Sequence, residues 1–502
     1  MSENTNSKPE SKEIGEYRSI FKATSLFGGV QVFKVIIGFI NTKVVAMLLG
    51  TTGVGIIGLF QSTITFFEGL TGLGLSTSAV RGISEANASG DKHRIGHTVS
   101  VFRRLVWITG LFGLCLVLFL SPILSNFTFG NYDYTIPFIF LSLILLIDQL
   151  GKGQSVLLQG MRRIKDLAKT TAIGATVGLI ISIPIYYFFR LNGIVPTLIL
   201  NSICILTISW LFARKIEVKK VSVSIKESLH DGKMMLKLGI AMAASNTIGD
   251  GFAYILRWFI RMEGGVDEVG LFVAGFTVLN ASAGLVFNAM ATDYFPRLSE
   301  VNQNNVRCRD IVNHQADIAL LIIAPILIAL VTFLPIVIRV LYTSDFLLAG
   351  NYIAFAALGI LFRATSWCIS YVFIAKGEAK LFVLIETFAN VYMLGFNILG
   401  YHVAGITGLG IAYFLGYLLY AIQCLLIAYK KYCIRFEWSF VKLLIIQLCL
   451  LSVCIACYEL FDSRIFYGIG FLLLVFSSMI SLKGLDRRLG LMSFIDNYRK
   501  KR

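Results

Sequence analysis

Residues 53–62 read GVGIIGLFQS, and 215 positions further on residues 268–277 read EVGLFVAGFT. Two more pairs keep nearly that spacing: SVLLQGMRRIKDLAKT at 155–170 with YVFIAKGEAKLFVLIE at 371–386, and Gly193-Ile194 with Gly405-Ile406. The chain that carries this repeat is far from soluble composition, with 56% hydrophobic and only 15% charged residues in 502 positions. Apolar stretches of about 20 residues, the length of helix that crosses a bilayer, recur along it. About fourteen such spans can be drawn, at 20–48, 54–79, 99–121, 135–158, 168–189, 194–213, 235–260, 268–292, 315–338, 350–375, 381–400, 405–429, 440–460 and 464–482. The period-2 alternation of a transmembrane barrel is absent.

An even number of spans separates the two copies, so each repeated pair has the same membrane orientation. The sequence therefore predicts an all-α polytopic membrane protein with two parallel six-helix lobes and two helices appended. Parallel repeats about an axis along the membrane normal are a transporter architecture, with substrate held near the midplane. Residues 1–18 read as a disordered cytoplasmic tail, 19–232 as the N-lobe and 233–432 as the C-lobe. Residues 433–502 hold the last two helices and a basic cytoplasmic tail.

The net charge of +16 would suit a nucleic-acid partner if it were displayed on one surface. It is instead concentrated in loops that follow even-numbered spans, as at Arg162, Arg163, Lys165 and Lys169, and in both tails. That is the positive-inside pattern, which predicts cytoplasmic N- and C-termini and no nucleic-acid function. Loops are too short for a catalytic domain outside the membrane, so an enzyme is not expected. GVGIIG satisfies GxGxxG, but a dinucleotide site needs a preceding strand in a soluble βαβ unit. Here the glycines open a membrane helix and permit close packing. His93 and His97 have metal-like spacing without a third ligand, and read as a solvated loop. Cys454 and Cys457 form a CxxC inside a span, read as small apolar fillers. Cys308, between spans eight and nine, is the cysteine expected to meet the cytoplasm. No cofactor is expected, although coupling to H+, Na+ or the membrane potential is.

An ionised side chain at the bilayer centre costs at least ~2.5 to 3.5 kcal/mol, so charges inside spans mark protein-lined water. They fall in stripes. Span one aligns Gln31, Lys34, Gly38 and Asn41; span four aligns Asp148, Gly151, Lys152, Ser155 and Gln159; span seven aligns Asn246, Asp250, Arg257 and Arg261; span ten aligns Arg363, Ser366 and Ser370, while Glu68 is central on span two. Candidate substrate contacts are Lys34, Arg363, Arg257, Lys152, Gln31, Asn41 and Asn246. Asp250, Asp148 and Glu68 are candidates for ion coupling or charge pairing. Asp148 and Lys152, spaced i, i+4, either neutralise each other or face the cleft, and Asp250 with Arg257 poses the same choice. Arg261, near an outer helix end, is placed to snorkel.

NTKVVAMLLGTTGVGIIGLF at 41–60, TDYFPRLSE at 292–300, VIRVLYTSDF at 337–346 and LFRATSWCISYVFIAKGEAKLF at 361–382 resemble the O-antigen translocase branch of the polysaccharide transporters. These belong to the multidrug/oligosaccharidyl-lipid/polysaccharide exporter superfamily. The resemblance covers about residues 20–480. It implies an inner-membrane flippase with MATE-like lobes that moves a polyprenyl-diphosphate-linked oligosaccharide outward by alternating access. Its partners would be that lipid-linked substrate, membrane lipids and polysaccharide polymerase machinery. The resemblance implies a cationic cavity between lobes, a role that Lys34 and Arg363 suit. The sequence departs from it in the near balance of intramembrane charge, with Glu68, Asp148, Asp250 and Glu386 against five cations. The rival readings are a cation-coupled drug antiporter of the same superfamily, and a membrane-embedded polymerase or glycosyltransferase. The latter usually displays a large outer loop or a paired acidic motif, and neither is visible.

Overall fold

The structure, a computed structural model, describes residues 9–219 and 221–489. Lys8 and the basic run after residue 489 lie outside the described residues, as does the start of the N-terminal tail. Residues 9–18, expected as disordered, belong to the first helix.

All regular structure among the described residues is helical. The helices are α1 Pro9–Gly72, α2 Leu75–Ala88, α3 Lys92–Phe129, α4 Thr135–Gly160, α5 Ile164–Phe189, α6 Ile194–Ala213 and α7 Ile225–Asp231. They continue with α8 Lys233–Glu300, α9 Asn305–Thr332, α10 Leu334–Leu341, α11 Ala349–Ala375, α12 Ala379–Tyr432, α13 Trp438–Leu460 and α14 Ser463–Leu489. Ten helical stretches among the described residues are long and apolar enough to cross a membrane. Four of these run to 44 residues or more: Gly29–Gly72, Ile164–Ala213, Lys233–Glu300 and Ala379–Tyr432. At ~1.5 Å per residue each is at least twice the ~30 Å of hydrocarbon, so each holds two passes. Six single and four double stretches account for the fourteen passes expected.

The breaks between paired passes carry the repeat in their backbone. Gly50 (φ 66°, ψ −163°) and Gly265 (φ 84°, ψ −179°) split α1 and α8. That region is accessible essentially to glycine alone. Arg190 (φ 51°, ψ −131°) separates α5 from α6, and Gly405 (φ 55°, ψ −135°) breaks α12. Arg162 and Gly377 also have positive φ. Each of these three pairs is 215 positions apart, the offset of the GVGIIG repeat. The structural counterpart of Gly405 is thus Arg190, three residues before the Gly193 that the sequence comparison aligns with it. A non-glycine residue in such a conformation costs ~1–2 kcal/mol. Arg190 offsets that cost with its own side chain, whose Nη1 donates to the Leu48 carbonyl at 3.0 Å. Leu48 precedes the break at Gly50, where helix carbonyls have lost their i+4 partners.

Contacts divide the chain into two compact units. The first takes the described residues up to Gly53 together with Leu59–Tyr254. The second takes Val54–Gly58 and the described residues from Ile255 onward. The division falls inside span seven, whereas the sequence reading places it at 232/233. The first half of α8 stays with the first unit because small residues let it approach. A Cβ on Gly239 would lie 2.5 Å from the Leu73 carbonyl oxygen, and one on Gly69 would lie 2.9 Å from Thr247 Oγ1. Tyr254 then stacks on Phe66 and shares a 2.5 Å hydrogen bond with Thr128.

Among the described residues of the second unit α11 is the most enclosed of the long apolar helices. The appended α13 and α14 pack on α9 within this unit. Arg488 Nη2 reaches Asp317 Oδ2 at 2.6 Å, and Ser477 donates to Gln447 at 2.7 Å between α13 and α14. Cys454 and Cys457 are buried free thiols, Cys454 Sγ lying 3.6 Å from Thr332 Oγ1. Cys308 is buried too, against the Val301 carbonyl, and so does not meet solvent as expected; the exposed loop cysteine is Cys433. Beyond the spans, Lys431 and Tyr432 engage Glu378 and hold its carboxyl below the usual range.

The shared breaks predict a stability pattern. Gly50→Ala and Gly265→Ala should each destabilise the fold by about 1 to 3 kcal/mol, lowering the thermal midpoint in detergent. Arg190→Gly, which trades relieved strain against the lost Leu48 bond, should shift the midpoint less. An unchanged midpoint for Gly265→Ala would contradict the backbone described.

Candidate substrate site

In the first unit, Lys34, Gly38 and Asn41 of α1 line a cavity of about 360 Å³ closed by α4, α5 and α6. Gly174 and Gly178 on α5 leave the room, and Thr170, Ser182 and Asn201 supply polar lining. Asn201 donates to Ser182 Oγ at 3.3 Å. The carbonyl oxygens of Asn41 and Asn201 are buried without a hydrogen-bond partner. A buried acceptor left unsatisfied costs ~1–3 kcal/mol, which a hydroxyl-bearing ligand would recover. The cavity therefore offers a cation in an apolar wall that also buries two unsatisfied acceptors. Gln31 is half-buried on α1 outside this lining, and Asn246 is exposed on α8.

The open choice for Lys152 is answered by a residue on another span. Its Nζ lies 2.8 Å from Glu68 Oε2 of α1, Lys152 being half-exposed and Glu68 only 14% exposed. Asp148 is half-buried, in electrostatic reach of Glu68, Ser202 and Lys152. Lys152 thus makes its ion pair with Glu68 and interacts with its i−4 neighbour Asp148 only at longer range. Asp250 belongs to the first unit and Arg257 to the second.

In the second unit, Arg363 of α11 donates from Nη1 to Asn280 Oδ1 at 2.7 Å and to the Tyr413 hydroxyl at 3.2 Å. Its guanidinium lies over the rings of Phe287 and Tyr417, 5.4 and 5.7 Å from their centroids. Arg257 lies over Phe272 and Phe276 at 6.0 and 5.9 Å. Phe272 packs edge-on against Tyr352, whose hydroxyl is buried without a hydrogen-bond partner. A guanidinium keeps its proton at any physiological pH. Arg363 makes no ion pair among the described residues, and Glu386 accepts instead from Tyr420. Its direct contacts are π faces and neutral dipoles, and the Glu386 carboxylate acts on it only from beyond ion-pair distance. From Phe287 ring contacts continue through Trp367 to Tyr371 and Tyr294, with Phe287 and Tyr294 buried and Trp367 and Tyr371 partly accessible.

Sequence reasoning nominated Lys34, Asn41 and Arg363 but missed Asn201, Asn280, Tyr413 and Tyr417. Tyr413, Tyr417 and Tyr420 did carry a signal, a tyrosine face at helical spacing on span twelve. No group of three or more His, Cys, Asp or Glu among the described residues is arranged to hold a metal. His97 pairs with Asp231 at 3.3 Å, and the backbone of His93 takes the cap of α3 from Asp91.

An all-helical chain with an internal parallel repeat and charges sheltered inside its spans defines a polytopic membrane protein of transporter architecture. Residues 44–350 match the family described as polysaccharide biosynthesis protein, and the chain belongs to that family. It is 23% identical over 422 residues to the lipid III flippase of Escherichia coli (strain K12), covering 81% of this chain and 97% of that one. Its fold is shared with the lipid II flippase MurJ in an inward closed conformation, at a TM-score of 0.71 and 15% identity over 92% of this chain and 99% of that one. It is shared as well with an inward-facing multidrug resistance MATE transporter of the MOP superfamily, at 0.68 and 16% identity over 82% of this chain and 96% of that one. The chain thus shares its fold with proteins named as flippases and transporters.

A double-mutant cycle tests the pairing of Lys152. Glu68→Gln and Lys152→Gln should couple by a few tenths to about 1 kcal/mol in unfolding measurements, the range for a partly exposed pair. Asp148→Asn should couple to Lys152→Gln more weakly, since those two charges interact without forming an ion pair. The opposite pattern would return Lys152 to Asp148.

Proposed function

We propose that the chain is a flippase that carries a polyprenyl-diphosphate-linked oligosaccharide, an O-antigen-type repeat unit, from the cytoplasmic to the outer leaflet of a bacterial inner membrane. The observation that carries this reading is Arg363, a half-buried cation whose hydrogen-bond and ring partners are all neutral. A diphosphate would supply the direct ion pair that Arg363 lacks among the described residues, and pyranose rings present apolar faces that match aromatic ones. Family membership and the names of the E. coli relative and of MurJ support the same class of cargo. Lys34, with Asn41 and Asn201, offers the first unit's contact to phosphate and sugar hydroxyls.

The physics of the task fits these parts. A charged, hydroxylated head group cannot enter hydrocarbon without losing its hydration, whereas the polyprenyl tail stays in lipid. Alternating access lets the protein replace that hydration on the way. About two negative charges leaving a negative interior gain ~4 to 5 kcal/mol per 100 mV, so the membrane potential favours export. Should an ion be coupled, Asp148 is the acid for it, since Glu68 is engaged by Lys152. Both termini are cytoplasmic in this reading, and the exported unit passes to polysaccharide polymerase machinery on the far face.

Two experiments test it. Arg363→Ala at wild-type protein level should reduce export tenfold or more, in line with a lost charge-assisted contact of ~1.5–3 kcal/mol. Lipid-linked oligosaccharide should accumulate on the inner leaflet. Lys34→Ala should have a smaller effect, and Arg363→Lys should restore part of the loss. Normal surface polysaccharide in the Lys34→Ala, Arg363→Ala double variant would exclude the reading. A chain retaining Cys433 as its sole cysteine should be labelled by an impermeant thiol reagent only from the cytoplasmic side, and labelling in intact spheroplasts would invert the topology.

A further inference from the structure

A second basic site lies away from these clusters, at the end of α3 that the loop charges assign to the cytoplasm. Ser100, Arg103, Arg104 and Trp107 succeed one another at helical spacing on one face, and with Ser222 and Val223 they line a cleft of about 390 Å³. The far wall is the segment that leads into α7, and it is held closely. A Cβ on Gly96 would lie 2.4 Å from the Lys219 carbonyl oxygen, so only glycine admits the strand of chain there. Val223 is buried beneath it, and a capping box between Ser224 and Glu227 starts α7 immediately afterwards. No acidic residue lines the cleft, and neither arginine has an ion-pair partner among the described residues.

The order of side chains along α3 gives the depth. Two guanidinium groups and a hydroxyl come first, then a half-exposed indole at Trp107, then Leu111, Phe112 and Phe119 with 45, 56 and 79% of their surface exposed. That sequence of polar head, aromatic girdle and apolar surface follows the profile of a lipid leaflet from phosphate to acyl chain. A soluble anion would need only the arginines; a lipid uses all three zones. We propose that this cleft binds the phosphate of a membrane lipid in the cytoplasmic leaflet, Arg103 and Arg104 holding the phosphate oxygens, Ser100 and Ser222 donating to them, and the acyl or prenyl chain lying along Leu111 and Phe112. An anionic phospholipid and the diphosphate carrier share this chemistry, and the site does not depend on the transport reading.

The test is native mass spectrometry of the full chain in detergent, titrated separately with phosphatidylglycerol, phosphatidylethanolamine and a polyprenyl diphosphate. Binding of phosphatidylglycerol, of the diphosphate, or of both should fall on the order of tenfold or more in Arg103→Gln, Arg104→Gln, since each basic residue near the lipid surface contributes ~1 kcal/mol. Whichever lipid responds identifies the source of the phosphate. Ser222→Glu, which keeps both arginines and sets a carboxylate in the cleft, should produce the same loss. Arg214→Gln, Lys215→Gln removes equal charge outside the cleft and should bind as the unaltered chain does. The proposal is overturned if the cleft variants bind all three lipids unchanged, or if the Arg214, Lys215 control loses as much as they do.

Discussion

Hydrocarbon offers no hydrogen bonds, so every peptide group in the membrane must find its partner within the chain, and a helix is the local way to do it. The rest of this structure follows from where that rule is suspended. A pass can end only where backbone groups lose their i+4 partners, and in this chain the passes of four long helical stretches are divided by sharp breaks rather than long loops. At Gly50 and Gly265 the break takes a conformation that only glycine accepts without strain.

The intramembrane charges obey a related constraint, and the two units meet it differently. In the first, Lys152 and Glu68 form an ion pair across α4 and α1, so each charge has its counter-charge inside the protein. In the second, Arg363 is surrounded by an amide, a phenol and two aromatic faces. Removing one member of the first pair strands the other, whereas the second arrangement tolerates the arrival of an external anion without displacing an internal one. That difference, more than the number of cations, separates charges that hold the fold from charges suited to a ligand.

The spans and the repeat were legible because hydrophobicity and its period are properties of contiguous sequence. So was the polar stripe of span one, since Lys34 and Asn41 do share one cavity wall. What was not legible depends on partners from distant spans. The helical period offered Lys152 either Asp148 or the cleft, and its ion pair is instead with Glu68, 84 positions away. Asn201 is a lone amide in an apolar span, and only the orientation of α6 makes it part of the wall. Cys308 lies between charged residues, yet it turns toward the Val301 carbonyl. Gly193 was aligned with Gly405 by residue type, whereas backbone conformation selects Arg190.

Arg190 also shows how far the two copies have diverged while keeping one geometry. In the first unit it ties the α5 to α6 break to the end of the pass before Gly50, through a side chain reaching a carbonyl. At the corresponding place in the second unit stands Gly405, which has no side chain to offer. Its neighbour Tyr401 makes the equivalent tie, donating to Glu268 just beyond the break at Gly265. A guanidinium bonded to a main-chain oxygen leaves the sequence around Gly50 free to vary, because any residue supplies a carbonyl. A phenol bonded to a carboxylate requires both side chains. The repeat has therefore conserved the positions of its breaks and the links between them rather than the residues that make those links, and this is why φ and ψ reveal the internal symmetry more fully than the amino acids do.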